Sequence, residues 1–84
     1  MVSTLILVTV EAGQDRAVME AIRTTIYYKS VIDRACLTYG LYDLLIEANF
    51  RDEKALETFV FNTLRKIPGV KETVTIICVS DSCD

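Results

Sequence analysis

Apolar side chains alternate between two kinds of spacing along this chain, and the alternation predicts its elements. Residues 3–10 are dominated by apolar and β-branched side chains and end at Glu11-Ala12-Gly13, which reads as a strand. Over residues 14–25 the spacing lengthens: Val18, Ile22 and Ile26 recur every fourth position with Ala17 and Ala21 beside them, the period of a helix. Asp15 suits the positive end of that helix's dipole. Residues 31–39 read as a second strand, Gly40 as a tight turn, and residues 41–49 as a third strand, together a hairpin. Asp52 is a good N-cap for a second helix, whose apolar stripe is Leu56, Phe59, Val60, Leu64 and Ile67. Pro68-Gly69 stops it, residues 71–79 form a fourth strand, and residues 80–84 are a polar tail.

The order β-α-β-β-α-β, with right-handed crossovers, leaves few topologies. The expected one is an α+β, ferredoxin-like βαββαβ sandwich: a four-stranded antiparallel sheet in spatial order 4-1-3-2, with both helices on one face. The chain reads as one domain over residues 1–84, with no internal linker.

Two helices cover only one face of such a sheet. A solvated second face would impose a clean apolar–polar alternation. These strands do not show it: Leu5 to Val8, Leu44 to Ile46 and Ile76 to Val79 are consecutive apolar runs. Burying one such side chain contributes roughly 1.5–3 kcal/mol, so several left in water form an interaction patch. The expected remedy is a homodimer in which two sheets pack face to face about a twofold axis, a dimeric α/β barrel-like assembly.

Composition sharpens this. The chain is 51% apolar, with three glycines and one proline, too apolar for a disordered segment. Nine basic and twelve acidic residues give a net charge of −3. Lys54, Arg65, Lys66 and Lys71 are interleaved with Asp52, Glu53, Glu57 and Glu72, so no basic patch for phosphates arises and no direct DNA binding is expected. No apolar run nears the ~18 residues of a membrane span, and the N-terminal run has no signal-peptide flanks. A cytoplasmic protein is expected. Cys36, Cys78 and Cys83 are odd in number and spaced as neither a disulfide framework nor a CxxC pair; Cys36 and Cys78 are expected to be buried reduced thiols.

In the expected topology, the end of the first strand, the hairpin and the start of the fourth strand gather at one end of the sheet. Thr9, Asp43, Thr73 and Thr75 lie there. Parity puts Asp43 with Glu47, and Thr73 with Thr75. With Val74 and Ile76 assigned to the helix side, these hydroxyls and the carboxylate face away from the helices. Adjacent strands are about 4.8 Å apart, so these groups fall within about 10 Å. A carboxylate among hydroxyls suits an ammonium group, and N–H groups at the Gly40 turn suit a carboxylate. An amino-acid-sized site is the result. Threonine is also simply a good strand residue, and Asp43 could serve the turn backbone.

Three stretches carry a family resemblance: residues 7–13 (LVTVEAG), 39–45 (YGLYDLL) and 64–75 (LRKIPGVKETVT). They resemble the effector-binding RAM domain of the Lrp/AsnC, or feast/famine, transcription regulators, over nearly the whole chain. The G-x-Y-D turn and the I-P-G-V-x-x-T segment are the most characteristic. The resemblance implies dimers that assemble into octamers or other rings, and amino-acid effectors held at contacts between dimers. It implies Gly40, Leu41, Tyr42, Asp43, Thr73 and Thr75 as ligand-binding positions, with full-length regulators as further partners. The chain shows no helix-turn-helix segment and resembles the stand-alone form. It departs from the usual pattern at residues 24–30, where Tyr27 and Tyr28 stand.

Three functions follow in order of expectation: an amino-acid-binding regulatory module, a purely structural assembly module, and a small dimeric enzyme. The last has least support. There is no histidine, no Cys–His or Ser–His pair and no cluster of metal ligands. No catalytic residue, metal or cofactor is expected.

Overall fold

The computed structural model describes residues 1–79, so the tail at 80–84, with Cys83, lies outside the described residues. The elements run β1 (Val2–Val10), α1 (Asp15–Arg23), β2 (Ile32–Leu37), β3 (Leu44–Phe50), α2 (Glu53–Asn62), a 3-10 turn (Leu64–Lys66) and β4 (Val70–Ile77). All neighbouring strands pair antiparallel in the order β2-β3-β1-β4, the expected order read from the other edge.

Strand periodicity sets the core. Ile6, Val8 and Val10 of β1, and Leu44, Ile46, Ala48 and Phe50 of β3, are buried on the helix side. They meet Val18, Met19 and Ile22 from α1, and Leu56, Phe59 and Val60 from α2. Phe59 is the aromatic hub: its ring lies 4.8 Å from Tyr27 in an edge-to-face contact, and 5.6 Å from Phe50. Edge-to-face packing matches the positive rim of one ring to the negative face of another.

Local signals set the helix ends. Asp52 Oδ accepts from Ala55 N–H at 2.8 Å and so caps α2. That stripe outlives its helix: α2 stops at Asn62, yet Leu64 is buried and Ile67 is half-buried, because the 3-10 turn keeps them on the core side. Gly69 has φ +100, and a Cβ there would lie 3.0 Å from Gln14 Cβ. Only glycine lets the 3-10 turn lie this close to the start of α1.

Two expectations change. Helix α1 ends at Arg23 rather than near 25, so Ile26 is exposed and Tyr27 fills the core position in its place. Thr24 and Thr25 direct their hydroxyls to the carbonyls of Ala21 and Ile22, each at 2.8 Å, satisfying backbone groups that another helical turn would have used. Cys36 and Cys78, expected to be buried, are only half-buried. Among the described residues, no helix is long and apolar enough to cross a membrane.

Phe59→Ala is expected to cost about 3–5 kcal/mol of stability, and Asp52→Ala about 1 kcal/mol. Chemical denaturation at fixed protein concentration reads both.

Candidate functional site

The connection between β2 and β3 is longer than the tight turn read from the sequence. Both strands stop short of Gly40, leaving residues 38–43 as a loop. Its two ends are tied: Thr38 N–H donates to Asp43 O at 2.9 Å, and Thr38 Oγ1 donates to Tyr42 O at 2.7 Å. Gly40 sits at the crest with φ +107, where a side chain would be strained. Tyr39 and Leu41 flank it, and both are exposed. Among the described residues, the N–H groups of Gly40, Leu41 and Tyr42 donate to no acceptor.

Asp43 anchors this loop to the sheet. Its N–H donates to Val8 O at 2.9 Å, and its Oδ2 accepts from Val10 N–H at 2.8 Å. Continuing the β1–β3 register from Val8 and Leu44 sets Asp43 opposite Thr9. Thr9 is in turn paired with Glu72 on β4. Thr9 Oγ1 is buried and, among the described residues, unsatisfied. Asp43, Thr9 and Glu72 thus form a row across three strands.

Thr73 and Thr75 are not in that row. They pair with Val8 and Ile6, whose side chains are buried on the helix side, and Thr75 lines a groove with α2. The expected facing of β4 is therefore reversed: Thr73 and Thr75 look toward the helix layer, while Val74 and Ile76 lie on the open face. The cause is a bulge. The register shifts between Thr9 and Val10, where Val70 pairs with Val10 but Glu72 pairs with Thr9. One extra residue inverts every side chain after it. Within one chain, Asp43 and the two threonines stand on opposite sides of the sheet.

A cleft of about 300 Å³ lies beside the loop, lined by Asp15 and Arg16 of α1 with Leu37, Thr38 and Tyr39. Asp15 reads in the sequence only as a helix-dipole residue, and Arg16 carries no signal; the fold brings the start of α1 against the end of β2. Glu72 was likewise passed over, because its place beside Thr9 depends on the bulge. The described residues hold no group of three or more His, Cys, Asp or Glu placed to bind a metal ion.

The rest of the open face is an apolar field with a polar border. Leu5 and Leu7 of β1, Leu45 of β3, Cys36 of β2, and Val74 and Ile76 of β4 share it. Val74 and Ile76 are 41% and 45% exposed. Arg34 Nε to Glu47 Oε2 (2.6 Å) and Ser3 Oγ to Asn49 Oδ1 (2.6 Å) border one end, with Asn49 also bonded to Asp33. Aliphatic centre and polar rim are the anatomy of a protein interface.

Because Asp43 bonds the backbone of β1, Asp43→Ala is expected to cost about 1–3 kcal/mol through the orphaned Val10 N–H. Asp43→Asn retains a side-chain oxygen for that donor and is expected to lose less than half as much. Thermal denaturation of the two variants separates the anchoring role from any ligand role.

Comparison with known proteins follows the same outline. The family model described as the Lrp/AsnC ligand binding domain matches residues 3–84. FFRP-DM1 is 32% identical and superimposes on 94% of this chain and 100% of its own, with a TM-score of 0.83. The hypothetical protein PHS023 from Pyrococcus horikoshii is 30% identical over 98% of this chain and 94% of its own, with a TM-score of 0.81. The transcriptional regulator NMB0573 from Neisseria meningitidis, solved as an L-Met complex, shares the fold at 20% identity and a TM-score of 0.78; the match covers 99% of this chain and 53% of that one. Comparison with curated proteins gave no match.

Proposed function

The chain belongs to the Lrp/AsnC ligand-binding domain family, and from that premise we propose that it is a regulatory module that binds an amino acid or related metabolite and reports binding through its own assembly. The observation that carries this reading is the 38–43 loop. It is pinned at both ends, raised on a positive-φ glycine, and offers unpaired N–H groups beside an aspartate. Unpaired backbone N–H groups suit a carboxylate, and a carboxylate side chain suits an ammonium. A free amino acid carries both.

In this reading, Gly40, Leu41 and Tyr42 hold the carboxylate and Asp43 faces the ammonium. Thr73 and Thr75 contribute from a neighbouring subunit, since within one chain they lie across the sheet from Asp43. The site is then complete only in the assembly, so ligand and assembly stabilise each other by linkage. The open face supplies the first contact, a face-to-face homodimer. Dimers joined further, into an octamer or another ring, bring loop and threonines together. Full-length DNA-binding relatives are candidate partners in mixed assemblies. An L-Met complex in a regulator of the same fold is consistent with the ligand class. We assign the site no catalysis: the chain has no histidine, and its loop offers binding groups rather than an acid–base pair.

A purely structural module is the second reading, favoured by the apolar open face, which needs only a second sheet to account for it. A thermal-shift panel of the twenty amino acids separates the two. At a concentration of one hundred times Kd, a ligand adds about 2.7 kcal/mol. The expected result is a selective rise in midpoint, abolished in Asp43→Asn and reduced in Thr75→Val. A folded oligomer with no shift for any amino acid would favour the structural module.

Leu45→Lys places a charge in the centre of the open face and is expected to lower the mass in light scattering while leaving the circular dichroism of the domain intact. An unchanged mass would remove that face from the assembly.

A further inference from the structure

The two edges of the sheet are built differently. At one edge, β2 is short, bulged between Ile32 and Arg34, and carries Asp33 and Arg34. A short bulged strand with charges resists pairing with another chain. At the other edge, among the described residues, β4 has no such protection beyond Lys71 and Glu72 at its start. Residues 73–79 contain no charge, proline or glycine, and all but Cys78 are β-branched. The bulge of β4 lies at its beginning, so the pairing from Glu72 to Ile77 is regular. Val74, Ile76 and Ile77 are all exposed.

The backbone direction along this edge is fixed. Cys78 N–H donates inward to Ser3 O at 2.9 Å. Antiparallel strands alternate their N–H groups between the two sides, so Ile76 and Val74 also point toward β1. The N–H groups of Thr73, Thr75 and Ile77 therefore point out from the edge. Beside them, on the helix side, is a groove of about 230 Å³ floored by Val60, Phe61 and Ile77 and rimmed by Glu53 and Glu57.

We infer that β4 is a pairing edge whose occupant is β4 of a second copy of this chain, antiparallel about a twofold axis at Val74. Pairing must match outward N–H groups with outward N–H groups, so odd-numbered residues face odd-numbered residues. A centre at Val74 satisfies this and keeps residues 71–77 of both copies within the strand. Thr73 of each copy then faces Thr75 of the other, and Val74 faces Val74. Lys71, the bulge residue just before this regular stretch, comes near Ile77 of the other copy and the Glu53 and Glu57 that rim its groove, so the charges are complementary. The contact is continuous with the open face through Val74 and Ile76. It is independent of any ligand and adds to the face-to-face pair a second, self-complementary contact, which takes the assembly beyond a dimer.

Amide hydrogen exchange on the intact protein, across a dilution series, tests this. The expected result is protection of the Thr73, Thr75 and Ile77 amides that rises together with protein concentration. Exchange of these three as fast as in an unpaired strand, at concentrations where the protein is associated, would overturn it. Thr75→Pro removes the central outward donor without touching the bonds to β1, and is expected to halve the assembled mass; wild-type mass in a folded Thr75→Pro protein would also overturn it. Where that variant does not fold, Glu57→Lys, an exposed helix position, is expected to weaken self-association about fivefold, with recovery on adding Lys71→Glu. No weakening, or no recovery, contradicts the pairing.

Discussion

A sheet has two faces, and this chain has helices for only one. Every other feature depends on that shortage. On the covered side, β1 and β3 present an unbroken set of buried side chains to α1 and α2, with Phe59 linking Phe50 and Tyr27. On the other side, Leu5, Leu7, Leu45, Val74 and Ile76 remain for a partner. A domain of 84 residues buries a modest share of its surface alone. Association through the uncovered face would add stabilisation that folding of one chain does not.

The second organising feature is Asp43. One carboxylate oxygen accepts the Val10 N–H, and the Asp43 backbone bonds Val8 on one side and Thr38 on the other. These bonds fix the loop against the end of β1, with Gly40 exposed at its crest. The residue best placed to meet a ligand is thus also a structural pin. Under the proposed function, a ligand at Asp43 would be coupled through this one side chain to the position of the loop and to the β1–β3 register, and so to the uncovered sheet.

Much of the fold was legible in the sequence, because it rests on period and punctuation. Strand and helix order, the spatial order of the sheet and the cap at Asp52 follow from local rules, whereas α2 stops at Asn62, ahead of the expected stop at Pro68-Gly69. The apolar open face was legible too, from runs that fail to alternate. What escaped depended on single-residue events. A bulge opposite Val10 inverted β4, so Thr73 and Thr75 turned to the helix side and Glu72 joined Thr9. No residue type announces a bulge of this kind. The early end of α1 exchanged Ile26 for Tyr27 in the core, since threonine hydroxyls took up the last carbonyls. Of the candidate site, the turn glycine and the aspartate of the 38–43 loop are visible in the sequence, whereas Asp15 and Arg16 come near the loop only through tertiary packing.

The central claim is that the uncovered face makes this domain dependent on assembly. Its most direct test is the thermal midpoint of the unmodified protein over roughly a hundredfold range of concentration, with sedimentation mass recorded at each step. Stability coupled to association rises with protein concentration. The account predicts a midpoint that climbs with concentration and a mass above that of one chain throughout the range where it climbs. A monomer with a concentration-independent midpoint would contradict it.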